Sequence, residues 1–569
     1  MNILIKNAKV VDGTGNPWFC SDIEIEDGKI KQMERKLAVK ADRTIDAEGL
    51  VVAPGFVDPH CHNDGPIVFH PDMDNYITQG VTTGVLGLCG TSPFPDKETY
   101  LSLLSQVYGG DVFWYSKEFA KSDYDWHSLS DYSSLVMSRR PAVNVAPLIG
   151  LGTILWKVGY RASTEKEARR LTAEEIKGAK DLIRQGFEQG AIALSTSRDY
   201  FPDRYLVADD YIEPLKVVAE YNRPFFPHTR LLATPDGLKE ALEIVRKTGV
   251  RMHISHLNVT TNWGWGYGSV NRLPECLGIL DTAREEGIDV TFDVIQNMSY
   301  CFRLDSLLRQ FRYFCREWAD KPLEGVESFE QFRNNCQRPE YRAEVREIVT
   351  NYIGRAEQYL SGMFAEHLDM TILIKTGDKK TEGKTLGKIA KEQGLNPRDL
   401  FFDIAFGVSP LVANCPHAVE IWPFTAGHPN EENVVKATNH PLGMPSSDYP
   451  ILATPVEYYY SPSAYATASY YYEKAKDYGV RLEEVIRKLT SLPAQVLGLK
   501  DRGMLREGMK ADIVIFDPED FRAGADYYNP EEKAPGVSYV LVNGRVVLDN
   551  GELTEERPGE VLLLKSKRA

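Results

Sequence analysis

Hydrophobic and polar positions keep one rhythm at both ends of the chain and another in the middle. Near the start, "NILIKNAKVVDG", "SDIEIEDGKIKQME" and "RTIDAEGLVVAPG" alternate apolar and polar side chains, with Asp-Gly turns between them. Period-two alternation between turn signals predicts hairpins of a half-exposed β-sheet. The far end repeats this texture in "ADIVIFDPEDF" and in "VSYVLVNGRVVLDNGELT", which carries an Asn-Gly turn. One small β-sandwich domain, built from residues 1–54 and 492–569, accounts for both. Between them, over 55–491, amphipathic stretches each lead into a short apolar run. "TAEEIKGAKDLIRQGFEQG" leads to "AIALSTS", "YIEPLKVVAEYN" to "RPFFPHTR", "GLKEALEIVRKTG" to "VRMHISHL", and "LPECLGILDTAREEG" to "IDVTFDVI". Helix and strand alternating at roughly 25–35 residues per unit predict a parallel sheet with crossover helices. Repeated through the middle of the chain, the pattern fits an α/β fold of the (β/α)8 TIM-barrel type with long loops. Residues about 300–370 break the rhythm with a charged, helical, cysteine-containing stretch, read as an inserted subdomain or lid. Two further excursions, 108–132 and 457–478, are rich in aromatic residues.

Length and charge narrow the field. A chain of 569 residues exceeds one ordinary core, so two domains or a large barrel with additions are expected. The net charge of -15 leaves no basic face for nucleic acid or an anionic membrane, and neither is expected as a partner. No run of eighteen apolar residues occurs, and the strand-like "MNILIKNAKVVDG" lacks the apolar core of a signal peptide. The 8 cysteines show no framework spacing, which points to a reduced, cytoplasmic protein.

The candidate chemistry begins at "DPHCHND". Successive strand side chains alternate faces, so His60 and His62 point the same way while Cys61 points away. They close an apolar run, at the C-terminal strand end where barrel active sites lie. Asp64 follows and can orient a ligand or bind metal. Zinc needs three or four N, S or O ligands, and other strand ends supply candidates. "GVTTGVLGLCG" reaches Cys89, "RPFFPHTR" reaches His228 and "VRMHISHL" reaches His256. His253, three residues before His256, faces the other way on a strand and reads as structural. The histidines at 70, 127, 367, 417, 428 and 440 fall in loops or helices and read as surface residues. "NHPLGMPSSDYP" delivers Asp448 to a late strand end, where a carboxylate can take a proton from water and return it to a leaving group.

These stretches resemble the amidohydrolase superfamily, and within it the D-aminoacylase (N-acyl-D-amino-acid deacylase) group. "VVAPGFVDPHCHND" is similar to the family's P-G-F-I-D-x-H-x-H-x-D, and "GVTTGVLGLCGTSPFP" to its G-N-C-G-x-S-x-x-P. "GAIALSTS", "FFPHTR", "MHISHLN" and the C-terminal "LPAQVLGLKDRGMLREGMKADIVIFDP" continue the likeness nearly end to end. The resemblance implies zinc as cofactor, with Cys89, His228 and His256 holding a tight ion. It implies a second, weaker or optional position at His60, His62 and Asp448, with Asp448 the general acid/base. The implied reaction is hydrolysis of a C–N amide bond other than a peptide bond in a small-molecule substrate. A homo-oligomer is a habit of the superfamily.

Departures bear on substrate. The family's lysine after S-H-L is Asn258, its D-x-Y-P-Y reads "DVIQN", and the histidine of its V-G-H motif is Leu151. In D-aminoacylases the lysine and the tyrosine segment grip the substrate carboxylate. Arg198, Arg204 and Arg230 are replacement cations, Asn258 and Gln296 can hydrogen-bond a neutral amide or ring, and Trp263, Trp265 and Tyr267 can wall an apolar pocket. Other readings are a cyclic-amide hydrolase of hydantoinase or dihydroorotase type, a metal-dependent esterase or lactonase, and a non-catalytic scaffold. The first typically needs a carboxylated lysine, and Cys89 stands in its place; the last characteristically loses ligands, and every ligand position here is filled.

Overall fold

The computed structural model describes residues 2–108, 114–162, 167–230, 234–257, 272–296, 301–303, 326, 329–355, 372–375, 379–410, 420–422, 431–449, 459–460, 462–526 and 529–565. The fold is mixed α/β. Nine parallel segments carry the middle of the chain: β1 (Phe56–Val57), β2 (Val81–Leu86), β3 (Asn144–Pro147), β4 (Ile149–Gly150), β5 (Leu194–Ser197), β6 (Phe225–His228), β7 (Met252–Ile254), β8 (Val290–Ile295) and β9 (Gly443–Ser446). β1–β2–β3 form a three-stranded sheet, and β9–β8–β7–β6–β5–β4 a six-stranded one, each with parallel pairing. Only Leu148 separates β3 from β4, and its amide donates to Leu86 of β2 at 2.8 Å while that of Ile149 donates to Ala193 at 3.0 Å. At the other edge, the Asp448 amide beyond β9 donates to the His60 carbonyl beyond β1 at 2.8 Å.

The crossover helices form where the amphipathic stretches predict them: α1 (Ala173–Glu188), α2 (Ala208–Glu220), α3 (Pro235–Thr248) and α4 (Leu273–Glu285). Thr172 and Glu175 exchange bonds with each other's backbone amides at the start of α1, satisfying donors that the first turn leaves free. Thr234 caps α3, Pro235 opens it, and Gly249 ends it at φ 69°, a left-handed stop that costs glycine nothing. Their apolar faces meet the outward side chains of β4–β8 in one core containing Ile149, Leu194, Phe225, Met252 and Phe292.

Strands from the two termini join in a single nine-stranded sheet. Val51–Pro54 pairs antiparallel with Ile513–Phe516 in the register Val51↔Phe516 to Pro54↔Ile513, which stitches the ends together. Alternation assigns its two faces: Ile513 and Ile515 pack with Ile3, Ile5, Ile23 and Leu541, whereas Val514 and Phe516 join the core that holds Phe56 and Tyr472. Residues after the last strand run back to the parallel region, with Leu562 donating to Val145 at 2.7 Å and Leu564 to Gly190 at 2.9 Å.

After β8, the next strand to join the parallel sheet among the described residues is β9, and the insertion expected at about 300–370 falls in the stretch between them. Its described parts include the helices Phe329–Asn335 and Pro339–Arg355 and the strands Cys301–Arg303, Ile372–Lys375 and Glu420–Trp422, which form an antiparallel sheet with Tyr459–Tyr460. Strands of two to four residues offer too few alternations to be read from periodicity.

One buried lysine ties a helix to the parallel sheet. Lys488, on α6 (Leu482–Leu489; α5 is Glu431–Asn439), donates to the carbonyls of His440 at 2.6 Å and Gly443 at 2.8 Å at the start of β9. Burial, opposed by Glu484, pushes its pKa down to about 7. From there up to the free-lysine value of about 10.4, the unfolded chain holds more proton than the folded one, so this group makes stability rise with pH. Lys488→Met is expected to flatten that rise, read as urea midpoints at pH 7 and pH 9; an unchanged difference between the two pH values would refute the assignment.

Candidate metal centre

Six predicted side chains converge where the parallel strands end. Cys89 is the hub: its Sγ lies 3.5 Å from His60 Nε2, 3.6 Å from His228 Nδ1 and 3.8 Å from His256 Nε2. Asp448 closes the other side, with Oδ1 at 3.2 Å from His60 Nε2 and 3.0 Å from His62 Nε2. Donor atoms of His60, Cys89, His256 and Asp448 all lie within 4.8 Å of one another. The group is graded in depth. His60, Cys89, His228 and His256 are buried, whereas the side chains of Asp448 and His62 are 13% and 28% exposed. Among the described residues the group is most open at Asp448 and His62.

Backbone strain holds the arrangement. Cys89, His256 and Asp448 adopt positive φ of 51°, 38° and 50°, a left-handed region that costs non-glycine residues about 1–3 kcal/mol each. Each sits just past a strand, and the turn swings its side chain into the cluster. Close packing supports the Cys89 turn: a Cβ on Gly150 would stand 2.4 Å from the Gly90 carbonyl oxygen, so only glycine fits beneath it. His253 Nε2 meets Asp293 Oδ2 at 3.1 Å and its Nδ1 meets the Thr291 hydroxyl at 2.8 Å, and the His256 backbone amide donates to Asp293 Oδ1 at 3.1 Å.

Asp293 is a residue that the sequence reading did not place in the site. Fully buried at the end of β8, its carboxylate also meets His60 Nδ1 at 3.4 Å and accepts from the Ser446 hydroxyl. Burial works against its ionisation, but the charge of His60 and the hydrogen bonds of His253 and His60 hold it well below the usual carboxylate range. Asp58 likewise accepts from Tyr76 at 2.7 Å and from Ser447 next to Asp448, and Asp64 accepts from the Gly87 amide at the head of the Cys89 turn. Asp199 meets His228 Nε2 at 3.2 Å. Spacing of two residues from His60 and His62 was the available signal for Asp58 and Asp64, whereas Asp293 and Asp199 lie far in sequence from the histidines they meet. Cys61 points away from the cluster, with its thiol on the Val85 carbonyl at 2.9 Å.

The substrate-facing candidates fare differently. Arg198 is buried; it pairs with Glu240, donates to the Leu206 carbonyl at 2.8 Å, and lies over the Tyr211 ring at 4.7 Å. On β5 the alternation turns Ser195 inward and Arg198 outward, toward α2 and α3, so its guanidinium is spent between helices rather than on a substrate. Arg230 meets the other Glu240 oxygen at 3.3 Å and is 27% exposed. Arg204 gives its carbonyl to Arg230. The Gln296 amide is buried and donates to Val294 at 2.7 Å and Thr438 at 3.0 Å. Asn258, Trp263, Trp265 and Tyr267 lie outside the described residues.

The donors suit zinc. Thiolate, imidazole and carboxylate together form the mixed S, N, O set that zinc accepts in tetrahedral sites. Burial disfavours the Cys89 thiolate, yet the neighbouring imidazoles of His60, His228 and His256 hold its pKa well below that of a free thiol. Against the same burial, Asp448 and Cys89 push His62 up to about 10, and Asp199 and Cys89 push His228 up to about 9. A site that draws protons onto its histidines is one where a divalent cation can replace those protons.

The comparisons with known proteins agree. Residues 383–548 match the amidohydrolase family. Along its length the chain is 26% identical to an N-acyl-D-glutamate deacylase of Alcaligenes xylosoxydans xylosoxydans, covering 99% of this chain and 96% of that protein. It is also 26% identical to a D-aminoacylase of the same organism, covering 99% and 97%. The crystal structure of N-acyl-D-glutamate deacylase from Bordetella bronchiseptica, complexed with zinc and a phosphonate inhibitor, shares the fold with a TM-score of 0.70 at 24% identity over 99% of both chains. Among the described residues no helix is long and apolar enough to cross a membrane. The chain thus resembles deacylases of the D-aminoacylase type along nearly its whole length, and its residues 383–548 match the amidohydrolase family.

Proposed function

We propose that this protein is a zinc-dependent amidohydrolase that removes the acyl group from an N-acyl-amino acid. The observation that carries the proposal is the convergence of Cys89, three buried strand-end donors and Asp448 within hydrogen-bonding reach of one another. Relatives matching along 99% of the chain are named N-acyl-D-glutamate deacylase, D-aminoacylase and N-acyl-D-aspartate deacylase, which favours this reaction over cyclic-amide or ester hydrolysis.

In this reading Cys89, His228 and His256 hold a tightly bound zinc at the closed end of the site, and His60, His62 and Asp448 offer a second position at its open end. The scaffold is a closed (β/α)8 barrel, capped by a β-sandwich of the two termini. Support for closure comes from the bonds of Leu148 and Ile149, which make β3 and β4 one interrupted strand, and from the Asp448–His60 bond, which joins β9 to β1.

Zinc bound there lowers the pKa of water from about 16 toward 7 and polarises a carbonyl. The chain does the rest. Asp448 Oδ1, partly exposed and fixed by His60 and His62, takes a proton from the attacking water and returns it to the departing nitrogen. Asp293 and Asp199 hold two of the histidines. Arg230, two residues past His228 and partly exposed beside Glu240, is a cation for an anionic substrate group in this reading. Gln296 and, in the sequence after His256, Asn258 and Trp263 complete the proposed substrate contacts.

Metal analysis of protein purified without added metal, followed by assay on N-acyl-D- and N-acyl-L-amino acids, hydantoins and lactones, tests the proposal. Bound zinc with hydrolysis of N-acyl-D-amino acids is expected. Stoichiometric zinc with no amide hydrolysis would overturn it.

A further inference from the structure

We infer that Asp199 is a positioning residue of the metal centre: its carboxylate fixes the His228 imidazole in the tautomer that turns a free Nδ1 toward Cys89. The inference rests on the reading of the cluster as a zinc site, and adds a residue outside the ligand set.

His228 is held from both sides. Its Nε2 lies 3.2 Å from Asp199 Oδ2 and its Nδ1 lies 3.6 Å from Cys89 Sγ. A neutral imidazole carries one proton on one of its two nitrogens, and an ionised carboxylate can only accept. When a cation displaces the second proton, the carboxylate keeps the remaining one on Nε2 and leaves the Nδ1 lone pair for the cation beside Cys89. The Tyr200 ring packs on the imidazole at a centroid distance of 4.9 Å and limits its rotation. Asp199 is itself set by the end of β5: the Asp199 and Tyr200 amides donate to the Ser197 hydroxyl at 3.3 and 3.2 Å, and the Arg198 amide donates to the His228 carbonyl at 2.8 Å. The same loop thus carries the carboxylate and the ring that clamp His228.

His60 is held in the opposite sense, with Nδ1 on Asp293 and Nε2 turned inward. Asp293 has four partners and no exposure, so its loss would disturb the core as well as the centre. The Asp199 side chain is 26% exposed, so its role in positioning can be separated from folding.

The test uses the full chain and zinc itself. Asp199→Ala and Asp199→Asn are compared with the wild type by chelator competition for zinc, by the thiolate charge-transfer band of the cobalt-substituted protein, and by melting of the metal-free form. Removing an outer partner of a ligating histidine typically costs 10–100-fold in metal affinity, and about that loss is expected for Asp199→Ala, with a shifted cobalt band. Asp199→Asn keeps an acceptor oxygen and is expected to recover part of the affinity, and the metal-free melting temperature is expected to stay as in the wild type. Zinc affinity of Asp199→Ala within about twofold of the wild type would overturn the inference while leaving the zinc site intact. A metal-free form that melts far below the wild type would overturn it too, by making Asp199 a folding residue. A wild type that binds no zinc would instead bring down the proposed function, and this inference with it.

Discussion

Asp448→Asn is expected to keep zinc bound and to lose about 10²–10⁴-fold in kcat, the range contributed by a positioned general acid/base. The substitution is nearly isosteric. The amide oxygen of asparagine can still accept from His62 and His60, which now meet Asp448 Oδ1 at 3.0 and 3.2 Å, and the main chain keeps its bond from residue 448 to the His60 carbonyl. Asparagine also tolerates the left-handed backbone at φ 50° better than most residues. What the variant lacks is a group that can take a proton and give it back. Burial opposes the negative charge of Asp448, but His256 and His60 hold its pKa well below the usual carboxylate range, so the wild-type group is ready as a base. Steady-state kinetics beside metal analysis check the outcome. A variant that retains zinc and near-full turnover would remove Asp448 from the proton-transfer role.

What could be read from the sequence depended on periodicity. His60 and His62 were grouped by the period of a strand, although that strand ends at Val57, and Cys89, His228 and His256 by the ends of apolar runs. The crossover helices were legible for the same reason, with Thr172–Glu175 and Thr234–Pro235 marking their starts. Periodicity fails where the backbone leaves its repeat. The left-handed backbone at Cys89, His256 and Asp448 is not something an apolar run announces. Asp293 and Asp199 were invisible as partners because their value lies in a neighbour's ring on another strand, remote in sequence. Arg198 shows the converse error: adjacency to a strand end suggested a substrate cation, but its outward register gives it to Glu240. The strands between β8 and β9, such as Cys301–Arg303 and Glu420–Trp422, are too short to show a period.

Cys89→Ser is expected to lose the tight zinc, and activity with it. Serine fills nearly the same space, can take the same φ of 51°, and keeps the turn against Gly90 and Gly150, so a folding defect is not the anticipated cause. The difference is chemical. Sγ is the atom that reaches His60, His228 and His256 together at 3.5, 3.6 and 3.8 Å, and those imidazoles overcome burial to favour its thiolate. A serine hydroxyl stays protonated in the same surroundings and brings a poor donor to a cation. Loss of an outer partner of a ligand costs 10–100-fold in affinity, so loss of a directly bound thiolate should exceed it, at about 10³-fold or more. Because a ligand that binds the folded state alone stabilises it by RT ln(1 + [L]/Kd), zinc should raise the melting temperature of the wild type and scarcely move that of the variant at the same zinc concentration. Added zinc that restores both the melting temperature and turnover at wild-type concentrations would place the tight ion elsewhere, on His60, His62 and Asp448, and reverse the order of the two positions.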